Sequence, residues 1–140
     1  LYDELQEYYS SDLFKKDAQP GTALWDVMSH AAYLAEPTDT LRSLEKKFEH
    51  VSGMPVIENE TCVGVISKSD AIRANWKGDV RASMSAPPIT CAPNALVVDA
   101  AALMLKYKIG RVPVVNSKKK VVGIVSRSDI FTALSSFDGI

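Results

Sequence analysis

Histidine, cysteine and tryptophan are scarce, with two of each among 140 residues. His30 and His50 stand 20 residues apart, outside any metal-binding spacing such as H-E-x-x-H. Cys62 and Cys91 cannot build a disulfide framework, and there is no C-x-x-C to hold zinc or act as a redox dithiol. Two free thiols fit a reducing compartment. No apolar run approaches the roughly 20 residues of a transmembrane helix. No secretory signal pattern opens the chain. The expectation is a soluble intracellular protein, in cytoplasm or organelle stroma, with no membrane partner. The chain begins at Leu1 rather than Met, as expected of a trimmed or processed product. Also missing are G-x-S-x-G and the phosphate loop G-x-x-x-x-G-K-[ST]. No carboxylate pair stands out beyond helix caps, so nothing in the sequence points to an enzyme.

What is present is ordinary for a globular chain: 46% hydrophobic and 24% charged residues. A length of 140 residues suits one domain or two very small ones. The net charge of −1 hides an imbalance. Residues 1–20 carry −3 and residues 21–79 another −3, whereas residues 80–140 carry +5. A basic C-terminal part suits an anion, although it lacks the aromatic interleaving that nucleic acid would need.

The chain repeats itself. Gly64-Val65-Ile66-Ser67-Lys68-Ser69-Asp70 returns 59 residues on as Gly123-Ile124-Val125-Ser126-Arg127-Ser128-Asp129. Met54-Pro55-Val56-Ile57 returns 58 residues on as Val112-Pro113-Val114-Val115, and Met28-Ser29 returns 56 on as Met84-Ser85. Each copy reads as a short helical turn, a brief extended segment, a helix, a hairpin and a second helix. Leu41, Leu44 and Phe48 mark the first copy's helix at i, i+3, i+7, and Val97, Ala100, Ala101 and Met104 mark the second's. Pairs of β-rich runs, Met54–Ile57 with Val63–Ile66 and Val112–Val115 with Val121–Val125, read as hairpins. The expectation is an α+β domain of two β-α-β-β-α copies, residues 21–78 and 79–140. Neither copy has much core alone, so the two pack sheet to sheet about a pseudo-twofold axis. Residues 1–20, with Leu1, Leu5, Tyr8, Tyr9 and Phe14 near helical spacing, predict an amphipathic helix capping that body.

The duplicated Pro-Val strand and the duplicated Gly-x-x-Ser-x-x-Asp segment together resemble the CBS-domain family. Two such units in tandem resemble a Bateman module, like that of small CBS proteins carrying no attached enzyme or transporter sequence. The resemblance covers roughly residues 21–137.

The Ser-x-x-Asp segments have a purely structural reading as capping boxes, with an acidic residue suited to the helix dipole. They also have a binding chemistry. A helix start offers amides to an anion, Ser67 with Lys68, or Ser126 with Arg127, supplements them, and Asp70 or Asp129 can accept both hydroxyls of a ribose. The resemblance implies the same roles, with adenosine as the ligand. It places the base beside Met54, Pro55 and Val56 in one cleft and Val112, Pro113 and Val114 in the other. Tyr33-Leu34 and Ile89-Thr90 supply the opposite wall, where Thr90 can hydrogen-bond a base and Leu34 cannot. Arg111, Arg127 and the Lys118–Lys120 turn point to the second copy's cleft for AMP, ADP or ATP, with Mg²⁺ accompanying a triphosphate. No separate cofactor is required and no metal cluster is visible. Cys62, Cys91 and Trp25 read as packing residues, and Trp76 as a candidate dimer contact.

The resemblance implies a regulatory, energy-sensing module that reports ligand state to a partner. It also implies a homodimer through the helices at 39–50, 68–76, 96–107 and 127–136, forming a flat disc of four units. The alternative is an interaction module that dimerises or docks an enzyme of thioredoxin type without any ligand.

Overall fold

The computed structural model describes residues 21–137. The amphipathic helix expected over residues 1–20 lies outside them. Two antiparallel hairpins form the centre. Strands β1 (Gly53–Glu58) and β2 (Thr61–Ser67) make the first, and β3 (Arg111–Val115) and β4 (Val121–Ser126) the second. Four helices accompany them: α1 (Lys68–Arg73), α2 (Val80–Ser83), α3 (Val97–Tyr107) and α4 (Arg127–Phe137). The two hairpins share one register. Val56 faces Gly64 in the first as Val114 faces Gly123 in the second, and both shift register one residue later.

The expected leading strand of each copy is a single bridge. Ala35 pairs in parallel with Val56, and Cys91 with Val114. Ala35 donates to the Pro55 carbonyl (3.0 Å) and accepts from Ile57 (2.8 Å), while Cys91 does the same with Pro113 and Val115 (3.1 and 2.9 Å). The next rung would need an N–H from Pro55 or Pro113, which proline lacks. The pairing therefore stops after one residue.

Two helical expectations need correction. Residues 39–50 form two 3₁₀ turns, Arg42–Leu44 and Lys47–Glu49, not one α-helix. Ser43 occupies the Thr40 carbonyl with both its amide (3.1 Å) and its hydroxyl (2.6 Å), which tightens the turn to i→i+3 bonding. Helix α1 ends at Arg73 rather than residue 76. Asn75 and Trp76 adopt left-handed backbone (φ 54° and 60°). The Trp76 ring then packs edge-on to Phe48, with centroids 6.0 Å apart, so it belongs to the first copy's own core.

The copies exchange their leading elements. Leu24, from the start of the first copy, is fully buried in the second copy's core with Val97, Val112, Val125 and Ile130. Val80, from the start of the second copy, is buried in the first copy's core with Leu41, Leu44, Val56 and Ile66. Short bridges follow the same pattern. Ser29 and Ile124 exchange two bonds of 2.9 Å, and Ser85 and Val65 exchange bonds of 2.9 and 3.1 Å. Each hairpin is thus extended by a residue of the other copy.

Candidate ligand cleft

Both Ser-x-x-Asp segments close as capping boxes. Asp70 Oδ2 accepts from the Ser67 amide (2.9 Å) while Ser67 Oγ accepts from the Asp70 amide (3.1 Å). Asp129 and Ser126 repeat this at 2.9 and 3.3 Å. The Lys68 amide donates to the Ser52 carbonyl and the Arg127 amide to that of Gly110, each at 2.9 Å. The first and third amides of each helix are therefore already engaged. The expected anion site of open helix amides gives way to one built from side chains.

A cleft of about 210 Å³ opens at the end of the first motif. Ser67, Asp70 and Val65 line it from the first copy, and Ile89, Lys108, Ile109, Gly110 and Arg111 from the second, with Ser85, Pro87 and Pro88 of the exchanged segment. The sequence places each motif opposite its own copy's wall, whereas the structure joins the first motif to the second copy's wall. The cations of the basic half, Lys108 and Arg111, consequently stand beside Ser67 and Asp70. Charge read copy by copy assigns them to the other cleft. Lys118–Lys120 do not join them. The Lys119 carbonyl accepts from the Cys62 amide (3.1 Å) and Lys120 Nζ lies 3.5 Å from Glu60, so the hairpin tips meet. A six-residue strand separates those tips from the cleft by about 20 Å, beyond the ~8–10 Å reach of screened charge.

Arg111 is the most specific feature. Its side chain crosses to the first copy and donates to Ser52 Oγ (2.6 Å). It also fills the space a Cβ would need at Gly53, with its nearest atoms 2.6–2.7 Å from that position. Burial lowers its pKa, and the negative charge of Asp70 offsets part of that. The second oxygen of Asp70 is held only loosely, by the exposed Arg73 at 3.4 Å.

The remaining candidates fall in three places. Met54, Pro55, Val56, Val112, Pro113 and Val114 are buried in the two cores and back the hairpins rather than line the cleft. Thr90 is half-buried next to Ile89, while Lys68 is exposed beside Ser67. Leu34 is exposed, and its carbonyl accepts from Lys47 Nζ (2.5 Å). Arg127 sits with Ser126 and Asp129 at the second motif, where its guanidinium donates to the Ile109 carbonyl (3.3 Å). At the positions equivalent to Ile89 and Lys108 stand Tyr33 and His50, whose rings stack at 5.6 Å. The lining residues that sequence reasoning missed are Val65, Ser85, Pro87, Pro88 and Lys108–Gly110. The only hint was the two-residue length difference between copies before the strand proline, which falls at Lys108.

The cysteines are packed. Burial raises the Cys62 thiol, and burial with the negative charge of Asp99 pushes Cys91 up to about 12. Among the described residues, no group of three or more His, Cys, Asp or Glu could hold a metal ion, and no helix is long and apolar enough to cross a membrane.

Comparison with known proteins matches this architecture. The CBS domain family model fits residues 24–77 and again 78–136. An uncharacterized Methanocaldococcus jannaschii protein, MJ1232, is 31% identical over 95% of this chain and 46% of its own length. Inosine-5'-monophosphate dehydrogenase of Korarchaeum cryptofilum is 33% identical over 68% of this chain and 21% of its own length. The chain thus spans half or less of those relatives. Among solved structures, CBSX2, a CBS-pair protein from Arabidopsis thaliana, in complex with AMP is 25% identical with TM-score 0.76, covering 84% of this chain and 99% of that one. The CBS domain pair of protein MJ0100, in complex with 5'-methylthioadenosine and S-adenosyl-L-methionine, is 28% identical with TM-score 0.76, covering 84% and 98%. With two matched units, two exchanged cores and two Ser-x-x-Asp caps, this chain belongs to the CBS-domain family and carries two CBS domains in tandem.

Proposed function

We propose that this chain is a sensor that binds an adenosine-containing ligand at Ser67, Asp70 and Arg111, catalyses nothing, and reports occupancy to a partner protein. One observation carries the reading. A carboxylate with a loosely held oxygen, a hydroxyl and two cations converge on an apolar-walled cleft built from both copies. Asp70 suits a ribose diol. Arg111 and Lys108 suit a phosphate through charge-assisted bonds. Pro113 gives no N–H to the Ile89 carbonyl, which leaves that acceptor for an exocyclic amine. The cleft's modest volume favours a mononucleotide over a dinucleotide. The solved neighbours that hold AMP, 5'-methylthioadenosine and S-adenosyl-L-methionine support the same ligand class. Among AMP, ADP and ATP, a triphosphate brings Mg²⁺ on its own oxygens.

A ligand held by Asp70 of one copy and Arg111 of the other ties the copies together. It shifts their relative arrangement by its differential affinity for the alternatives. The test is thermal unfolding with added AMP. A saturable rise is expected, equivalent to about 2.7 kcal/mol at a hundredfold excess over Kd, and Asp70→Ala should remove most of it. Flat responses to AMP, ADP, ATP, NAD and S-adenosylmethionine alike would overturn the reading.

The same proposal includes a homodimer. Leu105 on α3 is 78% exposed and Phe131 on α4 56%, and these neighbouring apolar side chains suit a second copy. Light scattering should report a dimer that Leu105→Asp with Phe131→Asp converts to monomer. A monomeric parent chain at high concentration would count against it.

A further inference from the structure

The two clefts are related by the repeat, but one residue pair breaks their equivalence. Arg111 and Gly53 occupy the same position in the two copies, one before Val112-Pro113 and the other before Met54-Pro55. Arg111 pairs through its backbone with Ser126, and Gly53 with Ser67. The Arg111 side chain leaves its own copy and lies over Gly53, bonded to Ser52, where it lines the cleft of Ser67 and Asp70. The reciprocal side chain would have to start from Gly53 and reach toward Ser126 and Asp129. Gly53 has none, and the space for one is already filled by Arg111. The walls differ in the same sense. Lys108 lines the first cleft, and its counterpart is His50, stacked on Tyr33.

We infer that Arg111 restricts phosphate-bearing ligands to the cleft of Ser67 and Asp70, so that each chain takes one such ligand rather than two. Arg111 acts as a specificity-determining residue, because a guanidinium at a half-buried position favours an anion far more than an uncharged nucleoside. The inference rests on the adenosine-binding reading and adds to it the phosphate, the cleft and the stoichiometry.

Isothermal titration of the full chain with AMP and with adenosine tests it. The expected result is one AMP per chain, weakened more by Asp70→Ala than by Asp129→Ala. Arg111→Met should lower the ratio of AMP to adenosine affinity by about tenfold or more. A double variant, Gly53→Arg with Arg111→Gly, moves the guanidinium to the other copy. It should make AMP binding depend more on Asp129 than on Asp70, with circular dichroism reporting whether this variant folds. Two AMP per chain, a dominant Asp129, or equal loss of AMP and adenosine in Arg111→Met overturns the inference while leaving adenosine binding intact. Absence of binding by AMP and adenosine alike removes the underlying reading and the inference with it.

Discussion

Gly64 and Gly123 open the two repeated motifs because the other copy lies against them. A Cβ on Gly64 would sit 2.8 Å from the Ser85 carbonyl oxygen and 2.8 Å from Met84 Sδ. On Gly123 it would meet Met28 Sδ at 2.5 Å and the Ser29 carbonyl oxygen at 3.1 Å. A methionine end can swing aside, but a bridged backbone carbonyl cannot. Gly64→Ala should therefore cost about 1–3 kcal/mol, and Gly123→Ala less. Urea unfolding of both variants checks this, and equal or negligible losses would contradict the exchanged packing. The repetition of these glycines is visible in the sequence. Their cause is not, because the residues they accommodate lie about 20 to 95 positions away in the chain.

Among the elements, the first hairpin shows a local compromise. Asn59 and Glu60 both have positive φ (52° and 65°), as a two-residue type I′ turn requires. Asparagine tolerates that backbone, whereas glutamate is held there at a cost. Glu60→Gly should raise stability by about 0.5 kcal/mol. The exposed Lys120 contact that it removes is worth little. A lower urea midpoint would mean that the hairpin-tip contact matters more than the backbone. Hairpin positions were legible from alternating β-rich runs. The single-bridge leading strands follow from Pro55 and Pro113, and so could have been read from the sequence. The 3₁₀ turns at Arg42–Leu44 and Lys47–Glu49 were not legible, because an i, i+3, i+7 apolar pattern fits both helix types.

For the whole molecule, exchange of the leading segments makes the two copies one cooperative body. Leu24→Ala removes a fully buried side chain from the second copy's core, at a cost of about 2–5 kcal/mol. Trp76 reports on the first copy, since its ring packs on Phe48. In a Trp25→Phe background, Leu24→Ala should lower the Trp76 fluorescence midpoint as much as the circular dichroism midpoint. Two separated transitions would show that the copies unfold independently. The same exchange explains the charge of the cleft. It sets the acidic copy's Ser67 and Asp70 against the basic copy's Lys108 and Arg111, which charge counted along the chain cannot anticipate.

The sequence by itself determined the repeat, the family, the hairpins and the Ser-x-x-Asp caps, because each depends on residues close together in the chain. Only the tertiary structure decided which motif faces which wall, why Gly53 must stay bare and where the lysine turn goes. Those outcomes depend on contacts between copies, and local spacing carries no record of which surfaces will meet.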